Sequence, residues 1–365
     1  MTSEQELRLQ HRLTLAVGFS PVQQARLLSH FLTAVRLFEA TDAEFAALGL
    51  TPNQIQSLRS AELEKIADQD FEKILKRNLR LVSCLDAVYP QALREIAAYP
   101  ILLYCRGDVS LLNQGRRFAV VGSRDMSAYG RHAIEMLLPE LIRSGLTIVS
   151  GMAFGVDACA HELTLKCGGK TIAVQAQGVE QGYPRANQDL YERIVASGLV
   201  VSEFAEPPAY MGPERFPQRN RILSGLSDGV LVVEAAAKSG SLTTAYLALD
   251  QNRNVYAVPG NIDQPLSRGC FELIKRGAVP VAGAEDILAD FGGLNEAPAK
   301  VFPKFESEIE NRIYALCQAR SLTIDEMTDE MGESVANVTV ALTKMEIMGW
   351  LQESAGKRFS AVTKS

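Results

Sequence analysis

The sequence predicts an α/β protein: an extended Rossmann-like, mostly parallel sheet with helices on both faces, a small N-terminal all-helical domain and a C-terminal winged-helix domain. Three observations support this prediction. Short apolar runs alternate with helical patterns from about residue 117 to residue 288, as in βαβ units. The first 75 residues have helical periodicity, and residues 307–365 have the order helix, helix, helix, hairpin. We place the domains at residues 1–78, 79–290 and 307–365, with a linker at 291–306.

The N-terminal domain is predicted from segments such as "QQARLLSHFL" and "LEKIADQDFEKIL", whose apolar residues recur at helical spacing. Ser20 and Thr51 each precede a proline, as helix N-caps commonly do. We expect a packing or interaction domain without chemistry. The next segment, residues 79–108, has short apolar runs split by prolines, which predicts a strand or two leading into a new sheet.

The central sheet is predicted from apolar runs that show no alternation, as expected of parallel strands covered on both faces. Helices are predicted between them, over about Tyr129–Ser144 and Val156–Lys166 and within "NQDLYERIVASG" and "GCFELIKRG". Strand after strand ends on a small residue followed by a polar turn, the place where open α/β sheets bind ligands. The strand segments are "RFAVVGS", "LTIVSG", "KTIAVQA", "LVVSEF", "GVLVVE", "NVYAVPG" and "AVPVAG".

The composition of the 365-residue chain limits its class. No segment approaches the length of about 20 apolar residues that spans a bilayer, and no secretory pattern opens the chain, so we expect a cytoplasmic protein and no membrane partner. The net charge of −6 excludes a protein coated with positive charge, although a local basic groove remains compatible with it. Cys159 and His161 lie close in sequence, but no second ligand pair accompanies them, which favours helix packing over a metal site.

The segment "VVGSRDMSAYG" places Gly122, Ser123 and Arg124 directly after the first strand of the central sheet. Backbone N–H groups in such a turn, beside the partly positive N-terminus of the next helix, predict an anion site, and Arg124 adds a charged fork. The glycine spacing does not match the G-x-G-x-x-G dinucleotide motif, so we expect neither NAD nor any other cofactor.

The segment "SGMAFGVDACAH" repeats this arrangement at the next strand end. Gly151 and Gly155 allow close backbone approach, and Asp157 is placed to cap or orient the helix start. Two such turns on neighbouring strands predict one continuous cleft.

Further phosphate-suited residues follow at later helix starts. Arg219 and Arg221 diverge at helical spacing, so one can face a ligand while the other pairs with a carboxylate such as Glu234 or Glu203. The additional candidates are Arg185 and Asn187 in "YPRANQDLY", Asn220 in "FPQRNRILS", and Lys238, Ser239, Gly240, Ser241 and Thr244 in "KSGSLTTA".

Repeated anion sites along one sheet edge suit a polyanion better than a single phosphate, and general acid/base groups are scarce because the chain has four histidines. A single-stranded nucleic acid needs a basic groove together with surfaces on which bases stack. Phe154, Tyr183 and Phe216 lie beside the glycine and arginine turns and are candidates for stacking, with core packing as the alternative.

These motifs, in this order, closely resemble those of the DprA/Smf family of DNA-processing proteins over residues 79–288. The resemblance implies a non-enzymatic protein that binds and protects single-stranded DNA in natural transformation, loads the recombinase RecA and forms a homodimer through its Rossmann-like domain. The arginines of the family's motifs correspond to Arg124, Arg185, Arg219 and Arg221, and its S-G-S-L-x-T-A turn to Ser239 through Thr244. One departure is "AQGVEQGYP" at residues 176–184, where members usually have a glycine-cysteine-glycine-leucine-aspartate run.

Two alternatives remain. The same sheet resembles nucleoside-monophosphate phosphoribohydrolases, but their catalytic glutamate would fall on Tyr246 or Leu247. The C-terminal domain could instead read duplex DNA. Its predicted recognition helix, "SVANVTVALTKMEIMG", offers only Lys344 as a cation. The sequence therefore supports a protein-interaction role for this domain at least as strongly as duplex-DNA reading.

Overall fold

The computed structural model of the chain describes residues 2–205, 212–291, 305, 307–354 and 357–361. It contains two compact units, Met1–Asn295 and Glu296–Ser365. Most of the predicted linker at 291–306 lies outside the described residues. Among the described helices, none is both long enough and apolar enough to cross a bilayer.

The first unit begins with helices whose starts are set by side-chain caps. Ser20 and Thr51 accept hydrogen bonds from the backbone of Gln23 and Gln54, whose side chains accept from the cap residues in return, so both predicted N-caps are confirmed as capping boxes. The helices are α1 Glu4–Leu15, α2 Pro21–Phe31, α3 Ala34–Glu39, α4 Asp42–Ala47, α5 Pro52–Arg59 and α6 Ala61–Lys76.

A nine-stranded sheet follows, in the order β1-β2-β6-β5-β4-β3-β7-β8-β9. The predicted lead-in strands β1 and β2 are antiparallel to their neighbours, whereas the pairs from β6 to β9 are parallel. The mostly parallel Rossmann-like sheet is therefore confirmed. The strands are β1 Arg80–Ser83, β2 Leu102–Gly107, β3 Arg117–Val121, β4 Thr147–Ser150, β5 Thr171–Val174, β6 Leu199–Ser202, β7 Gly229–Val232, β8 Asn254–Ala257 and β9 Val279–Pro280.

Helices cover both faces of the sheet because the strands are apolar on both sides. Alternate residues of β3 point in opposite directions: Phe118 and Val120 join one apolar cluster, and Ala119 and Val121 join the other. The helices of this region are α7 Gln91–Arg94, α8 Ala128–Arg143, α9 Val156–Lys166, α10 Gln188–Ser197, α11 Arg215–Gly225, α12 Gly240–Asp250, α13 Arg268–Lys275 and α14 Glu285–Leu288.

The N-terminal helices pack on the β2 side of the sheet and share one apolar cluster with it. His11 of α1 is fully buried, with Nδ1 2.6 Å from the hydroxyl of Tyr104 in β2. Burial lowers the pKa of His11 to about 4. The boundary predicted at residue 78 separates helices from sheet, and an independent N-terminal domain stays a prediction.

The second unit contains three helices followed by a two-stranded hairpin, the order predicted for a winged helix. Some of its cations pair with its own carboxylates: Lys344 with Glu310 at 2.7 Å and Arg320 with Glu330 at 2.8 Å. The elements are α15 Glu308–Ala319, α16 Ile324–Met331, α17 Val335–Ile347, β10 Leu351–Ser354 and β11 Arg358–Ala361.

Candidate nucleic-acid interface

The cleft lies where the direction of strand addition reverses. From β3 the chain builds β4, β5 and β6 on one side and then returns to place β7 on the other side of β3. Such a switch point leaves a crevice at the carboxyl ends of the strands. Here a cleft of about 360 Å³ is lined by residues from the turns after β3, β4 and β7 and from α9, α11 and α12: Gly122, Ser123, Arg124, Ala153, Asp157, Phe216, Arg219, Asn220, Ser239, Gly240, Ser241 and Thr244, among others.

The turns after β3 and β4 touch through Gly155. Its φ of +73° is in the left-handed region, and a Cβ there would collide with the carbonyl oxygens of Ser123 and Arg124. The next amide, Val156 N–H, donates to the Ser123 carbonyl at 3.1 Å. The predicted close approach at Gly155 is therefore present, and the two turns form one surface.

Arg124 is exposed in the first turn and faces an aromatic ring. Its guanidinium carbon lies 5.2 Å from the centroid of Phe216, which α11 supplies. This cation–π geometry orients the guanidinium beside the ring while leaving its N–H donors accessible.

The N-terminus of α12 supplies polar groups on the β7 side of the cleft. Ser239 caps this helix by accepting from the Ser241 amide at 3.3 Å, and the two serine hydroxyls lie 2.7 Å apart. Because the helix has 11 residues, its first turn carries partial positive charge. Lys238, directly before the cap, is exposed and forms no ion pair with any of the described residues.

Arg219 forms the floor of the cleft. It is buried, donates through Nη1 to the carbonyls of Gly151 and Val174, the latter at 2.6 Å, and donates through Nε to the Asn220 side chain at 3.0 Å. A Cβ at Gly151 would collide with this guanidinium, which explains the glycine. Burial raises the pKa of Asp157, and the positive charge of Arg219 opposes that rise. We call Gly151, Asp157, Arg219 and Asn220 the floor.

Arg221 points away from Arg219 and pairs with Glu203, as one of the two predicted alternatives requires. Arg221 does not line the cleft. The other alternative, Glu234 as the partner of an arginine, is wrong. Glu234 instead accepts from the Ser127 amide at 2.9 Å and from its hydroxyl at 2.5 Å, because it lies beside the start of α8.

A smaller cavity of about 70 Å³ adjoins the cleft and shares Arg124, Phe216 and Arg219 with it. Phe154 and Tyr183 also line this cavity, with 48% and 41% of their surface exposed. The three aromatic residues predicted as stacking candidates thus lie together; two of them are exposed, and Phe216 is half-buried.

Arg185 and Asn187 form a short 3₁₀ turn after this cavity. Asn187 donates to the Met152 carbonyl at 2.9 Å and so ties this turn to the turn after β4. Arg185 is exposed, and it makes no ion pair among the described residues. We call the exposed cations Arg124, Arg185 and Lys238 the rim. Arg124 lines the cleft, Lys238 precedes Ser239 of the cleft, and Arg185 follows Pro184 of the adjoining cavity.

Cys159 and His161 are used in packing. The His161 Nδ1 lies 2.7 Å from the Thr171 hydroxyl, and Cys159 Sγ accepts from Arg131 at 3.8 Å. Within the described part of the chain, no group of three or more His, Cys, Asp or Glu side chains is arranged to hold a metal ion.

Gln175 was not among the predicted site residues. It directly follows β5, lines the smaller cavity and is 2% exposed. The signal for it was present in the sequence as an amide within the apolar segment "KTIAVQA".

Several known proteins are similar to this chain. The DNA processing protein DprA of Bacillus subtilis is 38% identical over 242 residues, which cover 64% of this chain and 80% of that protein. The Smf protein of Synechocystis is 30% identical over 94% of this chain and 95% of its own length.

Two solved structures are also similar. DNA processing protein A from Streptococcus pneumoniae matches with a TM-score of 0.69 and 36% identity, over 76% of this chain and 95% of that chain. The Helicobacter pylori protein, described for a unique single-stranded DNA binding mode, matches with a TM-score of 0.53 and 29% identity, over 59% and 97% of the two chains. The model of the DNA recombination-mediator protein A family matches residues 80–292, which include the whole cleft. The chain therefore belongs to the DNA recombination-mediator protein A family.

Proposed function

We propose that the chain binds single-stranded DNA in the cleft at the carboxyl ends of β3, β4 and β7. The observation that carries this proposal is the presence, on one continuous surface, of an exposed arginine, a helix N-terminus and three aromatic side chains. A single strand needs this combination, because its phosphates bind cations and N–H groups while its unpaired bases stack on aromatic rings. The single-stranded DNA binding mode described for the Helicobacter pylori relative supports the same proposal.

The rim supplies the phosphate contacts. Arg124 and Arg185 are exposed, and their guanidinium groups donate to none of the described residues. Lys238 stands beside the N-terminus of α12, where backbone N–H groups also favour an anion. The floor holds the turns in place, because Arg219 already donates to carbonyl oxygens of two strand ends.

The phosphoribohydrolase alternative requires an available catalytic carboxylate in the cleft. Among the described residues that line the cleft, Asp157 is the carboxylate, and it is buried beside Arg219. Glu234 is engaged by Ser127 at the start of α8. Incubation with AMP followed by chromatography tests the alternative directly: release of adenine over many turnovers would establish an enzyme.

The binding proposal is tested by measuring the affinity for a short oligothymidine, by fluorescence anisotropy at one stated salt concentration. Arg124→Ala and Arg185→Glu each remove a rim cation, and we expect each to weaken binding at least about tenfold without unfolding the chain. Arg276→Ala is the matched control, since this arginine is also exposed but already pairs with Glu272. Wild-type affinity in both folded rim variants would disprove binding in this cleft.

We further propose, from the family resemblance, that the protein protects incoming DNA and loads RecA in natural transformation, as a homodimer formed through the Rossmann-like domain. Sedimentation of the full chain tests the dimer, which a monomer at every concentration would contradict. Assembly of RecA on DNA covered by a competing single-strand-binding protein tests loading. Equal assembly with and without this chain would contradict a loading role.

A further inference from the structure

Gln175 leaves a hydrogen-bond acceptor unused in the interior. Its side-chain Nε2 donates to the Gln181 carbonyl at 3.3 Å, whereas its Oε1 has no partner among the described residues. A buried polar atom without a partner is unfavourable by about 1–3 kcal/mol, so most such atoms in folded proteins are satisfied.

The orientation of this amide is fixed by its neighbour. The Gln181 oxygen is a carbonyl and only accepts, so the group facing it must be the NH₂ of Gln175.

Gln175 lines the cavity of about 70 Å³ together with Phe154, Tyr183, Pro184 and Phe216. Sites that bind an unpaired base commonly combine aromatic side chains with a polar side chain such as an amide. The base stacks on the aromatic rings, and the polar group forms hydrogen bonds with the edge of the base. The volume is smaller than a whole base, so only the edge of a base enters, and the single ring of a pyrimidine needs less room there than the double ring of a purine.

We infer that Gln175 reads one base of the bound strand: its Oε1 accepts a hydrogen bond from the ring-edge N–H donor of a pyrimidine, such as N3–H of thymine. This inference rests on the proposed binding of single-stranded DNA. It adds a base-selecting contact to a surface that otherwise recognises phosphates and aromatic stacking, neither of which distinguishes one pyrimidine edge from another.

The test compares oligothymidine with the same oligonucleotide carrying N3-methylthymine, which lacks the donor. We expect the wild-type protein to bind the methylated strand roughly tenfold more weakly. Gln175→Met keeps the shape of the side chain but removes the acceptor, so the two strands should bind this variant within about twofold of each other.

Gln177→Met is the matched control. Gln177 is also buried and donates to the same Gln181 carbonyl at 3.3 Å, but it does not line the cavity. This variant should keep the wild-type preference for the unmethylated strand. A purely structural role of Gln175 would weaken both strands equally and leave their ratio unchanged, which would overturn the inference.

Two other outcomes are decisive. If wild-type protein binds both strands equally, Gln175 reads no donor and the inference fails, while binding of single-stranded DNA stands. If wild-type protein binds neither strand, the proposed function itself fails. Wild-type data alone therefore separate the two, even if a variant does not fold.

Discussion

Arg124 on the rim of the cleft is exposed beside the Phe216 ring, whereas Arg219 on the floor is buried and bonded to the carbonyls of Gly151 and Val174. Arg124 lies in the turn after β3 and Arg219 lies within α11, and the sequence patterns predicted a phosphate contact for each. On the proposed function, the difference separates a cation that is available to a ligand from one that holds the cleft together. Burial and existing partners decide which of these it does.

The largest expected effect comes from removing the floor. Arg219→Ala leaves the carbonyls of Gly151 and Val174 without their donor and removes the positive charge near buried Asp157. We expect the free energy of unfolding to fall by about 3–5 kcal/mol, measured by urea denaturation. Arg124→Ala should change it by less than about 0.5 kcal/mol. Equal losses for the two variants would erase the distinction between floor and rim.

A second test uses pH, because His161 lies fully buried on α9, one turn after Asp157. Burial lowers its pKa to about 3, so the folded protein keeps it neutral while the unfolded chain takes up a proton below about 6.5. Its contribution to stability is complete above pH 6.5 and is lost as the pH falls towards 3. Between pH 6.5 and 5 we expect a loss of about 1.5–2 kcal/mol from this residue.

The measurement is urea denaturation at several pH values for the wild type and for His161→Gln, which should lack this part of the acid sensitivity. His132→Gln is the control, since His132 is exposed. An acid profile of His161→Gln that parallels the wild type would show that His161 does not titrate in this way. At pH 7.5, His132→Gln should bind DNA with nearly the affinity of the wild type.

The smallest effect is expected in the salt dependence of binding. Lys238→Ala removes one rim cation and should lower the slope of log affinity against log salt by about 0.7, as for one phosphate contact on a single strand. Lys344→Ala should leave the slope unchanged, because Glu310 already neutralises this lysine. Equal slopes for Lys238→Ala and the wild type would show that Lys238 makes no phosphate contact.

The features of this arrangement that the sequence predicted are those that local backbone geometry determines. Arg219 and Arg221 diverge because residues two apart on a helix point in different directions, which also made Glu203 a reasonable partner for Arg221. The close approach at Gly155 was predictable, since a glycine in a turn after a strand permits a positive φ.

Contacts between distant segments were not predictable. The carbonyls that engage Arg219 belong to the ends of β4 and β5, and their direction depends on the folded turns. Glu234 lies beside α8 because β7 pairs with β3, on the opposite side of β3 from β4, β5 and β6. The unused acceptor of Gln175 likewise emerges only once the Gln181 carbonyl is placed.

The position of β3 between two apolar clusters has a consequence for the thermodynamics of binding. Because Phe118 and Val120 pack on one face and Ala119 and Val121 on the other, this strand cannot loosen unless both faces lose packing together. The turn with Gly122, Ser123 and Arg124 therefore projects from a strand that is packed on both faces. If DNA binds there as proposed, it meets a preorganised surface, and the protein loses little additional conformational entropy on binding.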